Sequence, residues 1–171
     1  RHGVEVLPIR VHRSDWDCSL ERVGDNQTAL RLGMRLIRGM PKEEVLAIMS
    51  AREEREFKSL QDLSLRSGLG RSSLRRLARA GAFGEHRREH LWEIEGLWTD
   101  LPLLAPLARR DSMPSLPVET EHDVLCADYK STGLSVSYHP LGLMRQGLEQ
   151  KGVLPLGELP GCRNGRPVRL A

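Results

Sequence analysis

The chain has 171 residues, 39% hydrophobic but only 4% aromatic, with a formal net charge of +3. That length suits one medium domain or two small ones, and a core of Leu, Ile, Val, Met and Ala rather than of rings. Leu and Arg recur throughout and are good helix formers, so helices are expected over sheets. No apolar run is long enough to cross a bilayer and no leader-like segment is recognisable. The three cysteines, Cys18, Cys126 and Cys162, are odd in number and far apart, which gives neither a disulfide framework nor a metal spacing. Reduced thiols, a cytoplasmic location and no membrane partner are the expectation.

In chain order, the β-branched alternation of residues 3–11 predicts a strand, and Ser14 to Asp17 a polar turn. Leu30 to Ile37 fits strand or helix. Pro41 suits the first turn of a helix, whose apolar stripe is Val45, Ile48 and Met49. Ser59 and Asp62 resemble a capping box for a short helix reaching Arg66. Ser67-Gly68-Leu69-Gly70 breaks that helix. The next carries Leu74, Leu77 and Ala78 on one side and stops at Gly81. A further helix is expected over Glu85–Trp98, with Leu91, Ile94 and Trp98 in register. Pro102, Pro106, Pro114 and Pro117 mark residues 99–118 as a linker. Thr120 and Asp123 then cap a helix to about Lys130, and Leu141, Met144 and Leu148 outline another, ended by Gly152. Asn164-Gly165 is a turn before a strand over Arg166–Leu170. The start at Arg1 and that final strand suggest a segment of a longer chain.

Charge is uneven. Residues 31–90 hold fourteen Lys/Arg and eight Asp/Glu, a local +6, while the remainder sums to −3. This fits an anionic partner or merely a solvated surface. Within the stretch, two short glycine turns lie about thirty residues apart: Ile37-Arg38-Gly39-Met40-Pro41-Lys42 and Arg66-Ser67-Gly68-Leu69-Gly70-Arg71. A glycine turn lets backbone approach a phosphate, and the amides that open the next helix point at its oxygens. Lys42 and Arg71 add charge beside the turns. Arg71, Arg75 and Arg79 follow at i, i+4, i+8 and form one basic face. In the first turn Pro41 stands at the place that Gly70 holds in the second, and an amide donor is lost.

Other patterns carry less. His86-Arg87-Arg88-Glu89-His90 matches H-x-x-E-H, but no third ligand helix is on offer, so no metal site is expected. Trp92 and Trp98 are able to stack on bases, although Trp98 lies with the apolar stripe. Trp16 can anchor the N-terminal strand. Asp15 and Asp17 are too isolated to form a catalytic pair and are expected as turn and surface residues. No Gly-Lys-Ser/Thr follows the glycine turns, so they are not a nucleotide-binding loop.

The two turns resemble the tandem helix-hairpin-helix, which holds duplex DNA by its backbone. The wider sequence resembles the bacterial C-family DNA polymerases, the polymerase III alpha subunits. The runs RHGVEVLPIRVHRSDWDC (Arg1–Cys18), ALRLGMRLIRGM (Ala29–Met40), FKSLQDL (Phe57–Leu63) and LARAGAF (Leu77–Phe83) look like the end of the fingers and the tandem helix-hairpin-helix domain. DYKSTGLSVSYHPLGLMR (Asp128–Arg145) resembles the approach to the family's OB-fold, and its TGLSVSYHPL form is closer to the error-prone branch.

The resemblance implies a mainly α fold, a tandem helix-hairpin-helix domain with short β segments at both ends. The implied divisions are 1–29 (end of fingers), 30–98 (DNA-binding domain), 99–118 (linker), 119–160 (helical connector) and 161–171 (start of a truncated OB-fold). It implies sequence-independent double-stranded DNA binding within an error-prone, damage-induced translesion polymerase. Gly39, Met40, Lys42, Gly68, Leu69, Gly70, Arg71, Ser72, Arg75 and Arg79 are the expected DNA contacts. No catalytic residue, metal site or cofactor is expected in this segment; the parent polymerase would use magnesium through residues lying upstream. Partners would be primer-template duplex and, through the parent, other mutagenesis or replication proteins. Two alternatives stay open: a helical protein-interaction scaffold, and a segment of a replicative alpha subunit.

Overall fold

A computed structural model describes residues 3–24, 27–97, 114–165 and 167–171. Among these the architecture is mainly α, with short strands towards both ends, and it divides into two compact units, 1–136 and 137–171.

The first unit opens with a three-stranded sheet of order β1-β3-β2: β1 (Glu5–Leu7), β2 (Ser19–Val23) and β3 (Gln27–Arg31). β3 runs antiparallel to β2 and parallel to β1. The strand expected over 3–11 is thus cut to three residues. Pro8 has no amide for the ladder, and its carbonyl accepts instead from the Arg31 guanidinium at 2.8 Å. The chain then turns, and the Val11 amide donates to the Ala82 carbonyl at 2.9 Å. Ser14, in the expected polar turn, is fully buried. Its hydroxyl donates to the Leu32 carbonyl and accepts from the Arg10 amide, so a buried polar side chain is fully used. Trp16 packs against the core.

Leu30 to Ile37, ambiguous in sequence, is both things in part: β3 ends at Arg31 and a single 3-10 turn occupies Met34–Leu36. Gly33 lies between them, under the crossing backbone of residues 16 and 17. A Cβ on Gly33 would stand 2.4 Å from the Asp17 carbonyl carbon, which only glycine avoids.

Helices follow: α1 (Lys42–Glu54), α2 (Leu60–Ser67), α3 (Arg71–Arg79), α4 (Arg87–Gly96) and α5 (Glu121–Ser131). Pro41 is the N-cap of α1 rather than a residue of its first turn. The predicted stripes face inward. Val45, Ile48, Leu63, Leu74, Leu77, Ala78 and Ile94 join Met34 and Ile37 in one aliphatic core, as the scarcity of rings required. α4 begins two residues later than the sequence suggests, because Gly84 (φ 120°) and His86 (φ 66°) both leave the helical region. Trp98 and residues 99–113 of the expected linker lie outside the described residues; residues 114–120 have no regular secondary structure.

The caps behave unequally. Thr120 and Asp123 form the complete reciprocal box at the start of α5. At α2, the Ser59 hydroxyl accepts from the Asp62 amide, but the Asp62 carboxylate accepts from Lys58 rather than from Ser59 and is also held by Arg55. Two ion pairs, Arg87–Asp128 and Arg88–Asp123, fasten α4 to α5.

In the second unit, α6 (Pro140–Gln150) starts with Pro140 in its first turn and with the His139 ring accepting from the Leu141 amide. β4 (Val153–Leu154) pairs in parallel with β5 (Arg169–Leu170), and a 3-10 segment, Leu156–Gly161, lies between them. The expected strand over 166–170 is only two residues long. None of the α6 residues is buried, although the sequence shows a stripe there.

Candidate nucleic-acid interface

The second hairpin joins α2 to α3. α2 ends when Gly68 takes the left-handed conformation at φ 67°. Leu69 plugs into the core, 3% exposed, and fixes the turn from below. The Ser64 hydroxyl donates to the Leu69 carbonyl at 3.1 Å. Gly70 is then the N-cap of α3, in extended conformation. A helix leaves its first amides without intrahelical acceptors, and these ends carry partial positive charge. Ser59, Thr120 and His139 cap α2, α5 and α6 with side chains. The start of α3 has no side-chain cap and no acidic residue in its first turn. What stands there is Arg71 and Ser72, then a fully buried Ser73.

Arg71, Arg75 and Arg79 line α3 opposite buried Leu74, Leu77 and Ala78, as their spacing predicts. Arg79 is exposed. The other two meet a residue that sequence did not offer. The Glu95 carboxylate on α4 accepts from Arg75 Nε at 2.6 Å and Nη2 at 2.7 Å, and lies 3.6 Å from Arg71 Nη1. The hydrogen bond from Arg75 holds the Glu95 carboxyl below the usual glutamate range, and the same bond raises Arg75. Glu95 is twenty residues from Arg75, and only the packing of α3 on α4 brings them together, so no spacing in the sequence announces it.

The first hairpin is built differently. Its leading element is the 3-10 turn Met34–Leu36 rather than a helix. Gly39 takes φ 72°. Met40 is buried like Leu69, and its amide donates to the Ile37 carbonyl at 3.2 Å. Pro41 brings no amide, and Glu43 and Glu44 occupy the first turn of α1, where they already offset the helix dipole. The Arg38 amide donates to the Ser131 carbonyl at 2.9 Å, at the C-terminal end of α5. Arg76 lies against Gly39, its Nε 3.4 Å from where a Cβ would sit. Lys42 is exposed. The expected contacts therefore separate into two places: Gly68, Leu69, Gly70, Arg71, Ser72, Arg75 and Arg79 along one hairpin and helix, and Gly39, Met40 and Lys42 at the other turn.

Part of the basic stretch is tied up in contacts within the protein. Arg31 forks onto Glu21, and Arg52 reaches the Val11 and Ser14 carbonyls and Asp15. Arg66 donates to the Ala51 and Arg55 carbonyls and lies over the Phe57 ring. Arg35 pairs with Asp17 and Arg55 with Asp62. Part of the local +6 is thus scaffold chemistry. The H-x-x-E-H run does not form one helical face either: His86 is the N-cap of α4 in left-handed conformation, while the His90 ring packs on Phe83 with centroids 5.6 Å apart.

A glycine turn between two helices, its apolar centre buried and the next helix opening towards solvent without a cap, defines a helix-hairpin-helix element. The chain belongs to that family: the helix-hairpin-helix motif model matches residues 3–90. The whole chain is also similar to error-prone DNA polymerases. It is 40% identical to the one from Alkalilimnicola ehrlichii and 39% to the one from Pseudomonas paraeruginosa, covering 17% of each relative. It is 38% identical to the one from Methylococcus capsulatus, covering 18% of it. The chain thus spans about one sixth of the length of these relatives.

Proposed function

We propose that this chain is the duplex-holding module of an error-prone C-family DNA polymerase, and that it binds double-stranded DNA through phosphates without reading bases. The observation that carries this reading is the start of α3: a glycine hairpin, no side-chain cap, no acid in the first turn, and Arg71, Arg75 and Arg79 along the following face. Contacts of this type position a duplex and are sequence-independent and salt-sensitive. The second hairpin supplies the grip. The first is a structural hinge-pin, since its amides at Arg38 and Met40 already have partners within the chain and its helix opens with two glutamates.

The relatives carry the name error-prone DNA polymerase, and our reading extends this to a parent that acts in damage-induced, translesion synthesis in the cytoplasm, with primer-template duplex as partner. Among the described residues no helix is long and apolar enough to cross a membrane. Asp15 and Asp17 are tied to Arg52 and Arg35. On this reading nucleotidyl transfer, with the magnesium it requires, belongs to other parts of the parent, and this chain contributes binding.

A scaffold role has one observation in its favour: Leu141, Met144, Leu156 and Leu159 of the second unit are exposed. Fluorescence anisotropy with labelled duplex of unrelated sequences, over rising salt, separates the two. Binding that weakens with salt and is lost in Arg71→Glu/Arg75→Glu supports the module. A folded protein that binds no duplex at low salt leaves the scaffold.

A further inference from the structure

Glu95 stands within the basic face of α3, and its carboxylate takes the same fork of Arg75 that a phosphate would take. Arg71 turns to the same carboxylate at 3.6 Å. The side chains of Arg71, Arg75 and Glu95 are 36%, 38% and 46% exposed, so no burial locks the cluster, and exposed pairs of this kind are weak. A duplex phosphate approaching the uncapped start of α3 meets two guanidinium groups already holding an anion, and meets that anion's negative charge as well.

We propose that Glu95 is an intramolecular competitor for phosphate: it occupies Arg75 and Arg71 in the free protein, yields them to the duplex, and recaptures them as the duplex leaves. The proposal rests on the duplex-binding reading above and adds to it a residue that sets affinity and release. It also states a sign. If Glu95 merely aimed Arg75 at DNA, removing its charge would weaken binding; as a competitor, removing its charge strengthens it. The neighbouring guanidinium groups keep Glu95 ionised well into acid, so the competition operates throughout the neutral range.

The test compares wild type, Glu95→Gln and Glu93→Gln, the last removing an equal charge from α4 at a residue with no ion pair to α3. Each is titrated into labelled duplex at several salt concentrations, with Arg71→Glu/Arg75→Glu in both the wild-type and Glu95→Gln backgrounds. Glu95→Gln is expected to bind about three- to fivefold more tightly at low salt, with a salt slope steeper by about one ion, and Glu93→Gln to change little. Equal or weaker binding by Glu95→Gln, while wild type binds and the double reversal abolishes it, overturns the competitor alone. No duplex binding by wild type or Glu95→Gln overturns the duplex reading and the competitor with it. A second readout follows the Glu95 carboxyl by NMR. Its titration should move back towards the ordinary glutamate range when duplex is added, and a carboxyl that stays low in the complex would sink the proposal.

Discussion

The two hairpins share a plan and differ in what surrounds it. Each turns at a left-handed glycine, Gly39 or Gly68, and each buries the next residue, Met40 or Leu69. Past that point they part. The first is met by Arg76, by the C-terminal end of α5 and by two glutamates; the second opens onto solvent beside arginines. A helix start attracts anions only while its amides and dipole are not already answered, so one motif can serve as a joint in one place and a grip in another. The turn sequence establishes the backbone path, and the neighbours decide the use.

The contrast can be broken most severely at the base of the first hairpin. Gly33→Ala places a methyl group against the backbone of residues 16 and 17 and should cost about 3 kcal/mol or more, read as loss of the folded baseline in urea unfolding. An unchanged midpoint would remove the claim that the first hairpin is a joint. Next comes charge. Arg71→Glu/Arg75→Glu should weaken duplex binding at least about tenfold, and Lys42→Glu by less than about threefold, in the same anisotropy assay. Equal losses would make both turns grips. The hairpin glycines give a smaller, stability-only comparison. Both hold positive φ, and a Cβ at Gly39 would meet Arg76 only at ordinary contact distance while Gly68 faces open space, so alanine should cost about 1 kcal/mol at each in thermal or urea melts. A clearly larger cost at Gly39 would show that Arg76 packs on the first turn more tightly than this.

The smallest effect is with pH. Glu95 has its folded-state carboxyl lowered by the hydrogen bond from Arg75. A lowered acid stabilises the fold above its unfolded value and loses that contribution as pH falls through the folded value. Wild type should therefore lose slightly more stability than Glu95→Gln between mildly acidic and strongly acidic solution. Parallel stability-pH curves for the two proteins would show that the pair is not populated in solution.

The second hairpin was legible because its chemistry is local. Gly68 to Gly70, the arginine spacing and the Leu74/Leu77/Ala78 stripe all lie within a dozen residues, and helix periodicity alone puts arginines and leucines on opposite sides. The aliphatic core, the Thr120 box and the stop at Gly81 were legible for the same reason. Glu95 was not, nor was the bond from Arg38 to Ser131, since both depend on which helix packs on which. The burial of Ser14 was not legible, because a polar turn does not announce that its hydroxyl reaches the Leu32 carbonyl eighteen residues on. The basic stretch was legible only as a total, since counting charges does not show where they point.

That last feature has a bearing on how such a chain can change over time. Lysine and arginine exchange freely on most protein surfaces, where either supplies one positive charge to water. Arg31 reaches a carboxylate and the Pro8 carbonyl together, and Arg52 reaches two carbonyls and a carboxylate in three directions. A single ammonium on a flexible stem does not span those acceptors. At these positions the most conservative exchange by charge is closed, and a sequence drifting towards lysine would unstitch the interior well before it altered the surface proposed to meet DNA.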